Sequence, residues 1–167
     1  MTILKQVFDA CSYLHGFDLV HSDIKPSNIL VKSKSPVHAK LADMDGVKRT
    51  FEARMHGGFT SLYAAPEVLL GEPFDTRADI WSLGIMALEL MVLNGLPTQG
   101  PVETWPSKIR SNLRFLGNAV VHHFMSSLLT TKPQRRPSAQ EGLAHRFWTL
   151  GTAVYDQMRL WVAPQVI

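Results

Sequence analysis

A mainly α domain with a short β-hairpin in its N-terminal third is the fold class this sequence predicts, on three observations. Apolar residues recur at helical spacing over most of the chain, the only β-type runs are two short ones close together, and one long glycine-punctuated stretch separates them from the helices that follow. Such a pattern reads as helices packed round one core with a small antiparallel piece at its edge. A chain of 167 residues fits one domain, and a domain of that size buries roughly 70% of the surface its unfolded chain exposes.

In chain order, Ile3, Leu4, Val7, Phe8, Cys11 and Leu14 keep a helical period that His15-Gly16 stops, so an amphipathic helix comes first. A loop from Asp18 to Asn28 follows. Ile29-Leu30-Val31 and Ala39-Lys40-Leu41-Ala42 are β-type runs, and Lys32 to His38 between them has the Ser, Lys and Pro composition of a turn, so the two pair as a hairpin. From Asp45 to Tyr63 no period is sustained, and Gly46, Gly57 and Gly58 mark a long loop of the kind that is often functional. Thr76-x-x-Asp79 matches a capping box opening a helix that is apolar on nearly every face and therefore central to the core, ended by Gly95, Pro97, Gly100 and Pro101. Helical patterns follow over Pro106 to Leu113 and Phe115 to Leu129, and Ser138-Ala139-Gln140-Glu141 is a second capping box ahead of a short helix near Leu143. The domain spans residues 1–150. In the tail, residues 151–167, Val154, Met158 and Trp161 keep a helical register suited to docking, with fraying from Pro164 onward.

Composition excludes several classes. The chain is 46% hydrophobic and 19% charged, without low-complexity tracts or repeats, which argues against disorder. Its net charge of +3 comes from dispersed cations, with Lys48-Arg49 and Arg135-Arg136 the only adjacent pairs, so no nucleic-acid face is expected. The one cysteine, Cys11, excludes an internal disulfide, and the seven histidines show no zinc-binding spacing. The longest apolar run, Ile80 to Leu93, is interrupted by Glu89 and is shorter than the about 20 residues that span a bilayer, so a buried core helix is expected and no membrane. Residues 1–20 lack the pattern of a secretory signal, and a reducing intracellular compartment, cytoplasmic or nuclear, is the expectation.

The chemistry concentrates in one loop. Asp23 and Asn28, a carboxylate and a carboxamide five residues apart, can face one small volume where a hydroxyl and a metal ion must be held together. The segment His21-Ser22-Asp23-Ile24-Lys25-Pro26-Ser27-Asn28 resembles the catalytic loop of protein kinases, H-R-D-L-K-P-x-N. By that resemblance Asp23 accepts the substrate hydroxyl proton, Lys25 steadies the γ-phosphate of ATP, and Asn28 ligates Mg²⁺. Pro26-Ser27 resembles the serine/threonine branch.

Further motifs follow in the family's order. Lys40-Leu41-Ala42-Asp43-Met44-Asp45-Gly46 resembles the stretch holding the D-F-G motif, a resemblance that implies Asp43 as the principal Mg²⁺ ligand. Met44 stands for the phenylalanine, and Asp45 either replaces the glycine or marks an insertion before Gly46. As a replacement it would stiffen the backbone that follows and add charge beside the metal. Ser22 stands where regulated members carry an arginine that pairs with a phosphorylated loop, so phosphorylation at Thr50, Thr60 or Ser61 is not expected to be the main switch. Thr60 to Glu67 resembles the substrate-docking loop ending in A-P-E, with Thr60 in the substrate loop. Arg136 matches the arginine paired with Glu67, and Asp79 the helix aspartate bound to the catalytic-loop backbone, of which His21 is part.

The resemblance runs from about Thr2 to Trp148 and implies the C-terminal lobe of an α+β kinase fold, with short β-hairpins near the catalytic loop. Only twenty residues precede His21, whereas the Gly-rich loop and ATP-anchoring lysine belong well upstream of it. Two readings stand: a serine/threonine kinase that uses ATP and Mg²⁺ when completed by an N-lobe, and a truncated pseudokinase that binds proteins. Both imply protein partners, a substrate or a partner kinase, and self-association through apolar surface that an N-lobe would cover.

Overall fold

The computed structural model describes residues 3–52, 59–91 and 97–150. Residues Gly57, Gly58, Leu93 and Gly95 and the expected docking tail with Val154, Met158 and Trp161 lie outside them. The apolar period at the start of the chain forms α1 (Ile3–His15), which buries Leu4, Val7, Phe8 and Cys11. After it come β1 (Leu19–Val20), the 3-10 turn Pro26–Asn28, and the hairpin of β2 (Ile29–Lys34) with β3 (Val37–Leu41). The hairpin pairs Ile29 with Leu41 and Val31 with Ala39, and a register shift between Val31 and Ser33 carries the pairing on to Lys34 opposite Val37. The turn is therefore much tighter than the stretch Lys32 to His38 whose composition suggested it. The side chain of Gln6 on α1 supports the hairpin: its Nε2 donates to Val37 O at 2.9 Å and its Oε1 accepts from Ala39 N at 2.8 Å.

The stretch expected as one loop contains the 3-10 turn Met44–Gly46 and β4 (Lys48–Arg49), which pairs antiparallel with β1. Strands of two residues are too short to show a period of two. α2 (Pro66–Leu69) follows, and then α3 (Arg77–Met91), buried from Ala78 through Leu88. The expected capping box at Thr76 and Asp79 is replaced by another arrangement. Asp75 Oδ1 accepts the Arg77 N–H at 2.8 Å, which leaves the Asp79 carboxylate to face the loop beside it.

α4 (Trp105–Leu113) and α5 (Ala119–Leu128) pack over α3 and its flank. α5 begins later than the apolar pattern from Phe115 suggests, because Asn118 Oδ1 caps it, accepting from Val120 N at 2.8 Å and Val121 N at 3.3 Å. Phe115, 70% exposed, lies outside the helix. α6 (Ala139–Leu143) opens with the Ser138–Glu141 capping box and packs on α1. Glycines permit two close approaches: a Cβ on Gly84 of α3 would sit 2.8 Å from Leu129 Cδ2, and one on Gly142 2.8 Å from Phe8 Cε1. Among the described residues no helix is long and apolar enough to cross a membrane.

Candidate active site

The loop after β1 is fixed by one buried carboxylate. Asp79, fully buried on α3, accepts the backbone N–H of His21 on Oδ2 at 2.8 Å and that of Ser22 on Oδ1 at 2.9 Å. His15 Nε2, at the end of α1, lies 2.9 Å from the same Oδ2. With both amides drawn to Asp79, Ser22 takes a left-handed backbone angle, φ 71°. His21 is buried, with Nε2 3.0 Å from Ala42 O and Nδ1 accepting from Asp23 N at 3.3 Å, so its proton is assigned to Nε2. Buried Ile24 anchors the next step, and Pro26 starts the 3-10 turn that brings Asn28 back toward Asp23.

Asp23, Lys25, Asn28 and Thr60 share one hydrogen-bonded cluster. Asp23 Oδ2 accepts from Lys25 Nζ at 2.6 Å and from Asn28 Nδ2 at 3.2 Å, and Asp23 Oδ1 accepts from Thr60 N at 2.8 Å. Lys25 Nζ also donates to Thr60 Oγ1 at 2.7 Å, and Asn28 Nδ2 to Asp23 O at 2.8 Å. Partial burial pushes the Asp23 carboxyl up, but the Lys25 ammonium and the Thr60 donors outweigh it, so its pKa is held below the ordinary carboxylate value. The cluster keeps the carboxylate ionised.

Asn28 and Asp43 come from adjoining segments, since Ala42 N donates to Asn28 O at 2.9 Å. The amide nitrogen of Asn28 is committed to Asp23, and among the described residues neither Asn28 Oδ1 nor the exposed Asp43 carboxylate has a hydrogen-bond partner. Two hard oxygen donors of this kind fit Mg²⁺, which takes few protein ligands and retains water. Asp43 itself has the left-handed angle here (φ 65°), whereas Asp45, expected to stiffen the backbone if it replaces the glycine rather than marking an insertion, lies in the 3-10 turn Met44–Gly46 without a positive φ.

The segment after Thr60 is tied to α3 and beyond. Tyr63 OH donates to Glu89 Oε2 at 2.8 Å, Ser82 Oγ to Tyr63 O at 2.8 Å, and Thr98 Oγ1 to Leu62 O. Burial first, and then Glu89, push the Tyr63 hydroxyl far above its ordinary pKa, so it stays a donor. Glu67 of α2 and Arg136 are both buried and meet fork to fork, with Nη1 to Oε1 at 2.5 Å and Nη2 to Oε2 at 2.8 Å. Arg136 also donates to the carbonyls of Arg77, Thr130 and Thr131 and lies 5.1 Å over the Trp81 ring.

A model of the protein kinase domain matches residues 1–148. The chain belongs to the protein kinase family. Its relatives place it in the serine/threonine branch of that family. Serine/threonine-protein kinase dst1 of Dictyostelium discoideum is 35% identical over 159 residues, 87% of this chain and 21% of its own length. Serine/threonine-protein kinase 17A of Oryctolagus cuniculus is 33% identical over 168 residues, covering 92% and 41%, and serine/threonine-protein kinase sid1 of Schizosaccharomyces pombe is 35% identical over 173 residues, covering 96% and 35%. The chain thus spans from 21% to 41% of the length of these curated relatives.

Within this kinase-family site the sequence motifs named Asp23, Lys25, Asn28, Asp43, Thr60, His21, Glu67, Asp79 and Arg136. The structure brings the first three together with Thr60, sets Asp43 beside Asn28 at its exposed edge, joins His21 to Asp79, and pairs Glu67 with Arg136 at a distance. Sequence reasoning missed His15, Tyr63 and Glu89. His15 reads locally as a helix stop, and its contact with Asp79 spans 64 residues, which no periodicity reports.

Proposed function

We propose that this chain supplies the catalytic-loop, metal-ligand and substrate-loop half of a serine/threonine phosphotransferase that moves the γ-phosphate of ATP to a protein hydroxyl. The observation that carries the reading is the cluster in which Lys25 joins Asp23 to Thr60. Asp23 holds the substrate hydroxyl and takes its proton as the oxygen bonds to the γ-phosphorus and the bond to the leaving ADP oxygen breaks. Lys25 turns from Asp23 toward a phosphoryl oxygen, and Thr60 keeps the substrate loop registered on the base. Asn28 and Asp43 would hold Mg²⁺, which would supply charge neutralisation at the phosphoryl oxygens.

No G-x-G-x-x-G stretch occurs in the 167 residues, and phosphoryl transfer depends almost wholly on positioning and charge stabilisation. Residues 1–167 alone are therefore read as close to inactive until an N-lobe completes them. The test is transfer of labelled γ-phosphate to a mixed Ser/Thr peptide substrate by the native protein isolated from its source. Transfer reduced about 100-fold or more by Asp23→Asn supports the reading, and a folded native protein that carries an N-lobe and shows no transfer sinks it. A second reading, a kinase-derived module that binds proteins without transferring phosphate, is favoured by Ser22 and by the charge of Asp45 beside Asp43. Either role places the chain inside the cell, in cytoplasm or nucleus. The exposed apolar side chains of Leu30 (51%) and Met44 (46%), on β2 and just after Asp43, suit cover by a partner or a second copy.

A further inference from the structure

Two histidines outside this site meet edge to edge. His123, exposed on α5, and His145, partly buried ahead of the 3-10 turn Arg146–Thr149, bring Nδ1 and Nε2 within 3.0 Å of one another. Their ring centroids are 5.2 Å apart and their planes 11° from parallel. Nitrogens so much closer than the centroids of near-parallel rings lie between those centroids, which is the geometry of an in-plane N–H···N hydrogen bond rather than a face-to-face stack.

A third group sets its direction. His145 Nδ1 accepts the backbone N–H of Phe147 at 3.0 Å, so it keeps its lone pair and the proton of the neutral ring is on Nε2. Nε2 then donates to His123 Nδ1, whose own ring proton is on its Nε2. This relay requires both rings to be neutral. A proton added to His145 Nδ1 displaces the Phe147 amide, and one added to His123 Nδ1 sets two N–H donors head to head.

An aromatic cluster lies beside the relay. Phe147 is fully buried with its ring 4.5 Å from that of Phe124, Trp148 lies 5.4 Å from Phe8, and the His145 ring lies 4.9 Å from Phe124. Trp148 Nε1 donates to Gly142 O at 2.8 Å. We propose that His123 and His145 form a proton-operated latch that fastens residues 146–150 onto α1, α5 and α6, closed while both rings are neutral and released when either is protonated.

The surrounding charges favour release by acid. α5 brings His122 and His123, the turn brings Arg146, α6 carries Glu141, which is held by the Ser138 backbone, and α1 carries Lys5 and Asp9, which pair with each other. Partial burial first, then His123 and Arg146, hold the His145 pKa below its ordinary value, and among the described residues no carboxylate acts against them. A base whose folded pKa is lowered gives stability that is whole above the unfolded value, about 6.5, and is lost as pH falls from there through the folded value. The same tautomers exclude a metal ion between the rings, because ligation through His145 Nε2 moves the ring proton to Nδ1 and breaks the Phe147 bond.

The test follows the Phe147 amide and the Trp148 indole N–H of the ¹⁵N-labelled full chain from pH 8 to pH 5. Both should shift in one transition below pH about 6.5, with the protection of the Phe147 amide falling about tenfold while α3 amides stay protected. His145→Asn keeps a capping acceptor that does not titrate, so it should retain the fold and abolish the transition, and His123→Phe, which removes the acceptor of the His145 Nε2 proton, should leave the Phe147 amide less protected already at pH 8. A Phe147 amide unchanged across the range, a transition that survives in His145→Asn, or Zn²⁺ shifting both rings at neutral pH would each overturn the latch.

Discussion

Ser22 combines two local costs at one residue. Its backbone is left-handed (φ 71°), a region that disfavours any residue with a Cβ, and its hydroxyl is buried without a partner among the described residues. Both follow from the demand that the His21 and Ser22 amides reach Asp79 together. Glycine removes the Cβ clash and the orphaned hydroxyl, and loses part of that gain to its own chain entropy. Ser22→Gly is therefore expected to stabilise the chain by about 1 kcal/mol, a rise of about 2–4 °C in Tm at this size. Thermal unfolding followed by circular dichroism checks it, and an unchanged or lower Tm would show that the surroundings have already relaxed round the serine. None of this is legible at Ser22 itself, because the carboxylate that sets its angle lies 57 residues away.

At the scale of elements, the contact of α3 with α5 depends on a glycine that no pattern singles out. Gly84 lies in the middle of the buried helix, and a Cβ there would stand 2.8 Å from Leu129 Cδ2 and 3.0 Å from Leu128 Cβ. Gly84→Ala gains helix propensity of about 1 kcal/mol but overpacks the interface by about 1–3 kcal/mol, so net destabilisation is expected. Urea midpoints would show it, and adding Leu129→Ala should reduce the penalty that Gly84→Ala adds, since the side chain in the way is gone. If the alanine costs the same in both backgrounds, the close approach is not its cause. The long elements were legible because their periods are long: α1 and α3 follow their apolar spacing directly, and Ser138 with Glu141 announces α6. The errors fell where a local signal was ambiguous. Phe115 continues an apolar period that Asn118 then interrupts as the true cap, and Thr76-x-x-Asp79 has the spacing of a capping box while the carboxylate serves the loop across the interface. The two-residue strands β1 and β4 left no pattern to find.

On the scale of the whole molecule, Glu67 and Arg136 connect parts of the chain that are 69 residues apart, so spacing carries no trace of their contact and only the motif resemblance paired them. Arg136 is 1% exposed and Glu67 3%, and two charges taken that far from water give little net stability as a pair but cost a great deal when separated. The guanidinium also satisfies carbonyls of Arg77, Thr130 and Thr131, which ties α2, the start of α3 and the segment ahead of α6 into one unit. Removing one partner leaves the other ionised or forced to neutralise in a buried site. Arg136→Met should therefore cost about 3–5 kcal/mol, whereas Glu67→Leu combined with Arg136→Met should recover much of that loss. Recovery stays short of wild type, because the three carbonyls lose their donor in both variants. Urea denaturation of the two single variants and the double gives the coupling directly, provided the slope of unfolding free energy against urea is shared. A double variant no more stable than Arg136→Met would mean that the carbonyl contacts and the packing on Trp81, rather than the charge pair, hold these three elements together.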